Sequence, residues 1–339
     1  MDDADLLAER FDVRTFWFGA AGASSLTRRA LAQRRWLAAQ DDAALVLAWF
    51  ADYPAALPLR WARARGVPVA VAVGGFDAAR IPSLGYGVFA SRWRAPLARR
   101  VLRSADVLLP VSASLLDTRN DFSGAGRQGV RAHVPDLRTP AVVLPTGYDA
   151  AAWPPGPAAR APSVLTVAHL PDARTVRVKG IDLLVDAARA HPDVPFRVVG
   201  VGEGARAEIV ALRPPPNVTL SPPIPRDQLA PVYAGASVYA QLSRTEGLPN
   251  VLCEAMLCGC VPAVSAVGAM PEVAGGLGAV APQPEQVSDG VGAALAVADA
   301  QREAARARIE THYSRARRRR GLFGVADRLM AGETVEGTA

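Results

Sequence analysis

Short, fully apolar runs alternate with stretches of helical period along this chain. Runs at 11–18, 43–50, 67–73, 107–111 and 141–144 predict strands, and the third (VPVAVAV) ends on Gly74-Gly75. Helical periods at 26–39, 55–65 and 92–104 lie between them. Apolar runs without polar alternation predict parallel strands covered on both faces. The pattern stops after residue 150, where Trp153 is followed by Pro154-Pro155-Gly156-Pro157. Those prolines resist helix and sheet alike, so 151–162 reads as a linker. The alternation then restarts. Strands are predicted at 163–167, 196–199, 218–220, 237–241 and 261–265, and helices at 181–190, 227–234, 250–258, 285–298, 301–312 and 314–330. The expectation is two α/β units, 1–150 and 163–312, facing a cleft, with a terminal helical segment over 313–332 that crosses back onto the first.

Composition narrows the class. The 339 residues are 50% hydrophobic and 21% charged, a globular balance with material for two cores. The net charge of +6 is too small to argue for nucleic acid, and suits phosphorylated ligands or an anionic surface. No apolar run approaches the ~18 residues of a membrane span. The acidic opening Met1-Asp2-Asp3-Ala4-Asp5 lacks a signal-peptide core. Cys253, Cys258 and Cys260 are odd in number and clustered at helical spacing among apolar neighbours. They read as core thiols in a reducing cytoplasm, neither a disulfide framework nor a metal site.

Three segments carry candidate chemistry. The densest is 243–255, S-R-T-E-G-L-P-N-V-L-C-E-A, where a strand gives way to a turn and a helix opening near Asn250. An open helix N-terminus offers unpaired N–H groups to a phosphate or sugar hydroxyl. Glu246 before the helix and Glu254 on it are eight positions apart, so the two carboxylates serve separate points of one ligand. The second segment holds Arg174, Arg177 and Lys179 in a predicted strand-to-helix loop, where cations meet a diphosphate. The third is the Gly200-Val201-Gly202-Glu203-Gly204 loop.

In this order the segments resemble the retaining glycosyltransferases of family 4, group 1 glycosyl transferases with the GT-B fold of two Rossmann-like domains around a central cleft. The resemblance rests on Lys179-Gly180, Gly200-Val201-Gly202, Tyr233, the run from Glu246-Gly247 through Asn250 to Glu254-Ala255-Met256, Cys258-Gly259-Cys260-Val261-Pro262, and Gly268 to Glu272. In the first half, Val143-Leu144-Pro145-Thr146-Gly147-Tyr148-Asp149 is similar to the family segment that closes the first domain, with Thr146 in place of its Asn. Gly74-Gly75-Phe76-Asp77, Ile81-Pro82 and Gly85-Tyr86-Gly87 match a subgroup pattern.

The resemblance implies a nucleotide-sugar donor, UDP- or GDP-linked, and transfer with retention through an oxocarbenium-like transition state, without metal or other cofactor. Glu254 would bind the ribose. Glu246 would bind the transferred sugar. Gly247, Leu248, Pro249, Asn250 and Val251 would line the sugar and diphosphate. Lys179, with Arg177 and Arg174, would neutralise the leaving group. Gly202 and His169 would flank the donor, with His169 standing where the family carries a permanent cation. Ile224, in the loop 221–225, would meet the base. Gly74 and Gly75 would allow close approach, and Asp77 would face the reacting sugar or acceptor. The chain opens where the family's first helix ends, so the family's first strand is expected to be missing. The acceptor would be a polysaccharide, a small molecule or a lipid-linked sugar. The arginines of 315–320 could meet an anionic membrane surface or form a solvated helix face. Rival readings are a non-catalytic GT-B scaffold and a sugar-nucleotide epimerase.

Overall fold

The computed structural model describes residues 3–19 and 23–335, so Met1 and Asp2 of the acidic opening lie outside it. The first half runs α1 (Asp3–Ala8), α2 (Ala23–Ala38), β1 (Val46–Trp49), α3 (Ala56–Arg63), β2 (Val69–Val73), α4 (Arg94–Ser104), β3 (Val107–Pro110), a small hairpin of β4 (Thr118–Asn120) and β5 (Gly126–Gln128), and α5 (Val130–His133). Strands β1, β2 and β3 form a parallel sheet in that order. All five side chains of β2 are buried, as a Val-Ala alternation covered on both faces requires.

Two predicted strands resolve differently. Residues 11–18 form none. Their aromatic side chains anchor helices instead: Phe16 packs on Trp36 at 5.6 Å, and Phe11 meets Phe323 edge-on at 5.9 Å. The alternate polar residue Arg14 pairs outward with Asp42. The run 141–144, closed in by Pro140 and Pro145, follows β3 through three backbone hydrogen bonds, although only Ala141 registers as a bridge, to Leu108.

The second half runs β6 (Val164–Leu170), α6 (Ala173–Val178), α7 (Ile181–Ala190), β7 (Phe196–Val201), α8 (Glu203–Ala211), β8 (Val218–Ser221), α9 (Leu229–Ala234), β9 (Val238–Gln241), α10 (Asn250–Leu257), β10 (Val261–Ser265), α11 (Met270–Ala274), β11 (Ala279–Ala281), α12 (Val287–His312) and α13 (Arg315–Met330). Its sheet has the order β11-β10-β9-β6-β7-β8, all parallel. The chain leaves β6 in one direction and returns at β9 on its other side. Ligand crevices form at such a reversal, outside the carboxyl ends of the two strands. The segments that follow β6 and β9 are those that hold Lys179 and Glu246.

Three further expectations are corrected. The Arg174–Lys179 segment is not a loop. Asp172 caps α6 through the Thr175 N–H, so Arg174 and Arg177 ride on a helix and Lys179 is its C-cap. The helices expected at 285–298 and 301–312 are one helix of 26 residues, α12. No Gly or Pro interrupts 298–302, and Arg302 pairs with Asp299 across the expected break at 2.6 Å. The segment 151–162 is pinned rather than free. Trp153 is 5% exposed against Tyr233, and the Arg160 guanidinium donates to the carbonyls of Cys258 and Ala236.

Helix α13 returns to the first sheet. Leu322, Val325 and Leu329 share a core with Leu6, Leu7, Ala70, Ala72, Val107 and Leu109. Among the described residues no helix is long and apolar enough to cross a membrane.

Candidate active site

The two halves meet where β2 and β9 end. Gly75 has φ +140°, and a Cβ there would stand 3.1 Å from the Gly247 nitrogen. A Cβ on Gly247 would stand 2.1 Å from the Gly74 oxygen. The Gly247 carbonyl also accepts the Ala269 N–H at 3.0 Å. Glycine is therefore a steric requirement on both sides of this contact. A small cavity beside it is lined by Gly75, Ser114, Asn120, Thr245, Glu246 and Gly268 among others.

Glu246 is held at this junction by three donors. Its Oε1 accepts from Lys179 Nζ at 2.6 Å, Ser243 Oγ at 2.7 Å and Gln241 Nε2 at 3.0 Å. Lys179 is brought in by Gly180, which has φ +66° and packs under Leu242 so tightly that a Cβ would stand 1.9 Å from the Leu242 oxygen. Arg244 closes the loop with two 2.7 Å bonds to Asp182 and one to the Arg177 carbonyl. From the first half, Asn120 Nδ2 donates to the Arg244 carbonyl at 2.9 Å. Burial first, and then the Glu246 charge, push the Tyr86 phenol well above its ordinary value, so it stays protonated.

Helix α10 begins after Pro249, and the N–H groups of Leu248, Asn250 and Val251 take no partner among the described residues. Asn250 Oδ1 accepts from Tyr148 Oη at 2.7 Å. One turn on, Glu254 is 2% exposed. Its Oε1 accepts from Arg226 Nη2 at 2.6 Å and Nε at 3.1 Å, and its Oε2 from Tyr233 Oη at 3.3 Å. The Arg226 guanidinium lies 5.5 Å from the Trp153 ring centre, at the edge of a cavity of about 360 Å³ also lined by Tyr148, Asp149, Ala152, Asp227 and Ala230.

Residues 161–297 match the family model described as glycosyl transferases group 1. Over residues 161–297 the chain is similar to the group 1 glycosyl transferases. The D-inositol 3-phosphate glycosyltransferase of Segniliparus rotundus is 36% identical over 147 residues, which is 38% of this chain and 32% of that protein. The enzyme of the same name from Mycobacteroides abscessus is 35% identical over 102 residues, 28% and 23% of the two chains. The chain thus matches about a third or less of the length of these relatives. Among solved structures, sucrose-phosphate synthase from Thermosynechococcus elongatus superposes with a TM-score of 0.70 at 17% identity, over 93% of this chain and 81% of that one. HepE of Anabaena, in complex with UDP and glucose, gives 0.66 at 15%, over 95% and 88%. The fold is GT-B.

The second half contributes the other expected residues in varied ways. Arg174 and Arg177 are exposed, and Arg174 Nη1 donates to the Gly85 carbonyl of the first half at 3.1 Å. His169 is exposed near the end of β6. Gly202 caps α8 and donates its N–H to Leu170 O, so the expected glycine loop is a single residue between β7 and α8. Ile224 is half-buried against the core. Leu248 and Pro249 are buried, and Val251 is half-buried.

In the first half, Asp77 departs from expectation. It is 1% exposed, and its carboxylate accepts the N–H groups of Ala51, Gly74 and Gly75 at 2.9–3.0 Å. It shapes the Gly74-Gly75 loop and turns no oxygen to the cleft. The cysteines are all buried, with thiols pushed up to about 12 by burial. Arg226, Tyr148, Gln241 and Ser243 were assigned no role from the sequence, although Tyr148 and Ser243 lie in quoted segments, because each reaches its carboxylate or amide only through the fold. For Ser243 and Gln241 a signal was present: short polar residues at positions −3 and −5 from Glu246, at the end of a buried strand.

Proposed function

We propose that the chain transfers a sugar, with retention and without metal, from a nucleotide sugar to an acceptor hydroxyl bound against the first domain. The observation that carries this reading is the Lys179–Glu246 pair set before the unpaired N–H groups of α10 and opposite Gly74-Gly75. A donor lying there places its diphosphate at the α10 N-terminus, its sugar hydroxyls at Glu246 and its ribose toward Glu254. As the anomeric C–O bond breaks, charge collects on the leaving phosphate. Lys179 and the N–H groups stabilise that charge in place, without reorganisation. The acceptor oxygen attacks from the face the phosphate leaves, and its proton passes to the departing phosphate oxygen.

UDP is the favoured nucleotide, because solved HepE structures of the same fold hold UDP and UDP-glucose. A lipid-linked or polysaccharide acceptor fits a cytoplasmic enzyme that works at a membrane face. Arg317 and Arg320 are exposed arginines of the basic run on α13 that would meet an anionic surface.

Thermal unfolding with UDP, GDP, ADP and TDP sugars tests the reading. A ligand at 100 times its Kd adds about 2.7 kcal/mol to the folded state. The expected result is a shift for one base that disappears in Glu254→Ala. No shift with any of the four would favour a non-catalytic scaffold.

A further inference from the structure

The segment that closes the first domain, Thr146-Gly147-Tyr148, reaches the donor-facing helix of the second. Its backbone is clamped at the point where α13 starts. Tyr148 donates its N–H to Tyr313 O at 2.8 Å and accepts the Arg315 N–H at 2.9 Å. Gly147 lies so close to α13 that a Cβ would stand 2.7 Å from Arg318 Cβ. The Tyr148 backbone is therefore tied to the start of α13, and the residue is 6% exposed.

Its hydroxyl sits among polar atoms of both domains. It donates to Asn250 Oδ1 at 2.7 Å and lies 2.8 Å from Thr146 Oγ1, which is itself 3.4 Å from Asn250 Oδ1. Burial keeps the phenol protonated. Tyr148 thus donates to the amide oxygen of Asn250, with Thr146 Oγ1 3.4 Å from the same atom, while Asn250 Nδ2 takes no partner among the described residues.

Asn250 is the first residue of α10. An amide whose oxygen is engaged on one side presents N–H donors on the other. Joined to the unpaired N–H groups of the first turn, they favour an anion. The flipped amide would present its oxygen to the same place and repel a phosphate.

We propose that Tyr148 is a positioning residue: from the segment that closes the first domain it fixes the Asn250 amide so that its N–H group meets the diphosphate of the donor. This rests on the donor placement proposed above. Tyr148 acts through Asn250 and touches no substrate.

The test compares Tyr148→Phe with the unaltered chain, using UDP and uridine, or whichever of GDP, ADP and TDP the unaltered chain binds, each with its nucleoside. Titration calorimetry gives the two affinities. Tyr148→Phe keeps the ring and should weaken the diphosphate about fivefold while leaving the nucleoside unchanged, the scale of a lost orientation at a charged hydrogen bond. Asn250→Asp, nearly isosteric, should weaken the diphosphate by about 100-fold and the nucleoside little. Equal losses for diphosphate and nucleoside would make Tyr148 merely structural and overturn the inference, as would unchanged diphosphate affinity in Tyr148→Phe. An unaltered chain that binds no nucleotide overturns the donor placement itself, a separate result read before any variant is made.

Discussion

Lys179 and Glu246 form an ion pair within the second half, beside the junction of the two halves, with Nζ 2.6 Å from Oε1 and side chains 27% and 11% exposed. One is the C-cap of α6 and the other lies in the loop between β9 and α10, so the pair spans the reversal of strand order in the second sheet. An ion pair in this position has two uses. Glu246 keeps Lys179 from swinging to solvent, and Lys179 offsets the cost of a mostly buried carboxylate.

Lys179→Met should therefore split its effects. Glu246 keeps its bonds from Ser243 and Gln241, so the fold survives, with a Tm a few degrees lower. Turnover at saturating donor should fall about 100-fold or more, the scale of removing one fixed donor from a developing charge. Glu246→Gln, which keeps the shape and removes the charge, should also lose turnover. Steady-state rates beside thermal melts check this. Turnover within twofold of the unaltered chain would remove Lys179 from the chemistry.

The contact between Gly74-Gly75 and Gly247 makes a second prediction. In Gly247→Ala the new methyl meets backbone, 2.1 Å from the Gly74 oxygen, and no rotamer change relieves it. The halves must separate there. Such overpacking costs about 1–3 kcal/mol, and the particle should show a larger radius of gyration by small-angle scattering. Gly324→Ala on α13 has nothing within 4 Å and helical backbone, so it should be neutral or stabilise by up to about 1 kcal/mol. Equal behaviour of the two variants would show that the contact carries no strain.

Much of this arrangement was readable before the structure, and the reason is local. The apolar runs 67–73 and 107–111 have one solution, a buried parallel strand, and they became β2 and β3. The Gly-Leu-Pro-Asn turn placed the start of α10 at Asn250. What stayed hidden depends on distance along the chain. Arg226 and Glu254 are 28 positions apart, and Tyr148 and Asn250 are 102. No spacing rule links such pairs. Asp77 misled for another reason: a carboxylate after two glycines suits a ligand and a backbone N–H cluster equally, and only the fold of the loop decides. The run 11–18 misled because alternating aromatics can anchor helices as well as fill a strand.

His133 supplies a pH dependence. Its ring packs on Phe89 at 4.7 Å, and Nε2 is buried without a hydrogen-bond partner. Burial first, then the charges of Arg80 and Arg99, lower its pKa from 6.5 to about 4. The folded chain then binds the proton less readily than the unfolded chain. Between pH 6.5 and 4 the unfolded state holds more protons, so stability is intact above about pH 6.5 and is lost as the pH falls toward 4. His133→Phe should flatten the decline in Tm between pH 7 and pH 5. An identical decline in the variant would assign it to other groups.

Arg318 separates the structural from the solvated members of the basic run. It is 2% exposed, bonds Asp3 through Nε at 2.9 Å and Nη2 at 2.6 Å, and donates Nη1 to the Leu144 carbonyl. Arg315 and Arg319 both reach Glu9, but at the surface. Three of the five arginines thus tie α13 to the N-terminal segment, whereas Arg317 and Arg320 face solvent. Breaking a buried pair leaves an uncompensated charge, at a cost of about 3–5 kcal/mol. Arg318→Met should therefore lower the Tm by several degrees, since chains of about 150–250 residues lose roughly 2–4 °C per kcal/mol and longer ones somewhat less. Adding Asp3→Asn should restore part of the loss, because it removes the orphaned charge. Replacing Arg317 and Arg320 together should leave the Tm within a degree or two, since exposed charges contribute little. If the surface pair mattered as much as Arg318, the basic run would act as a whole rather than through its one buried member.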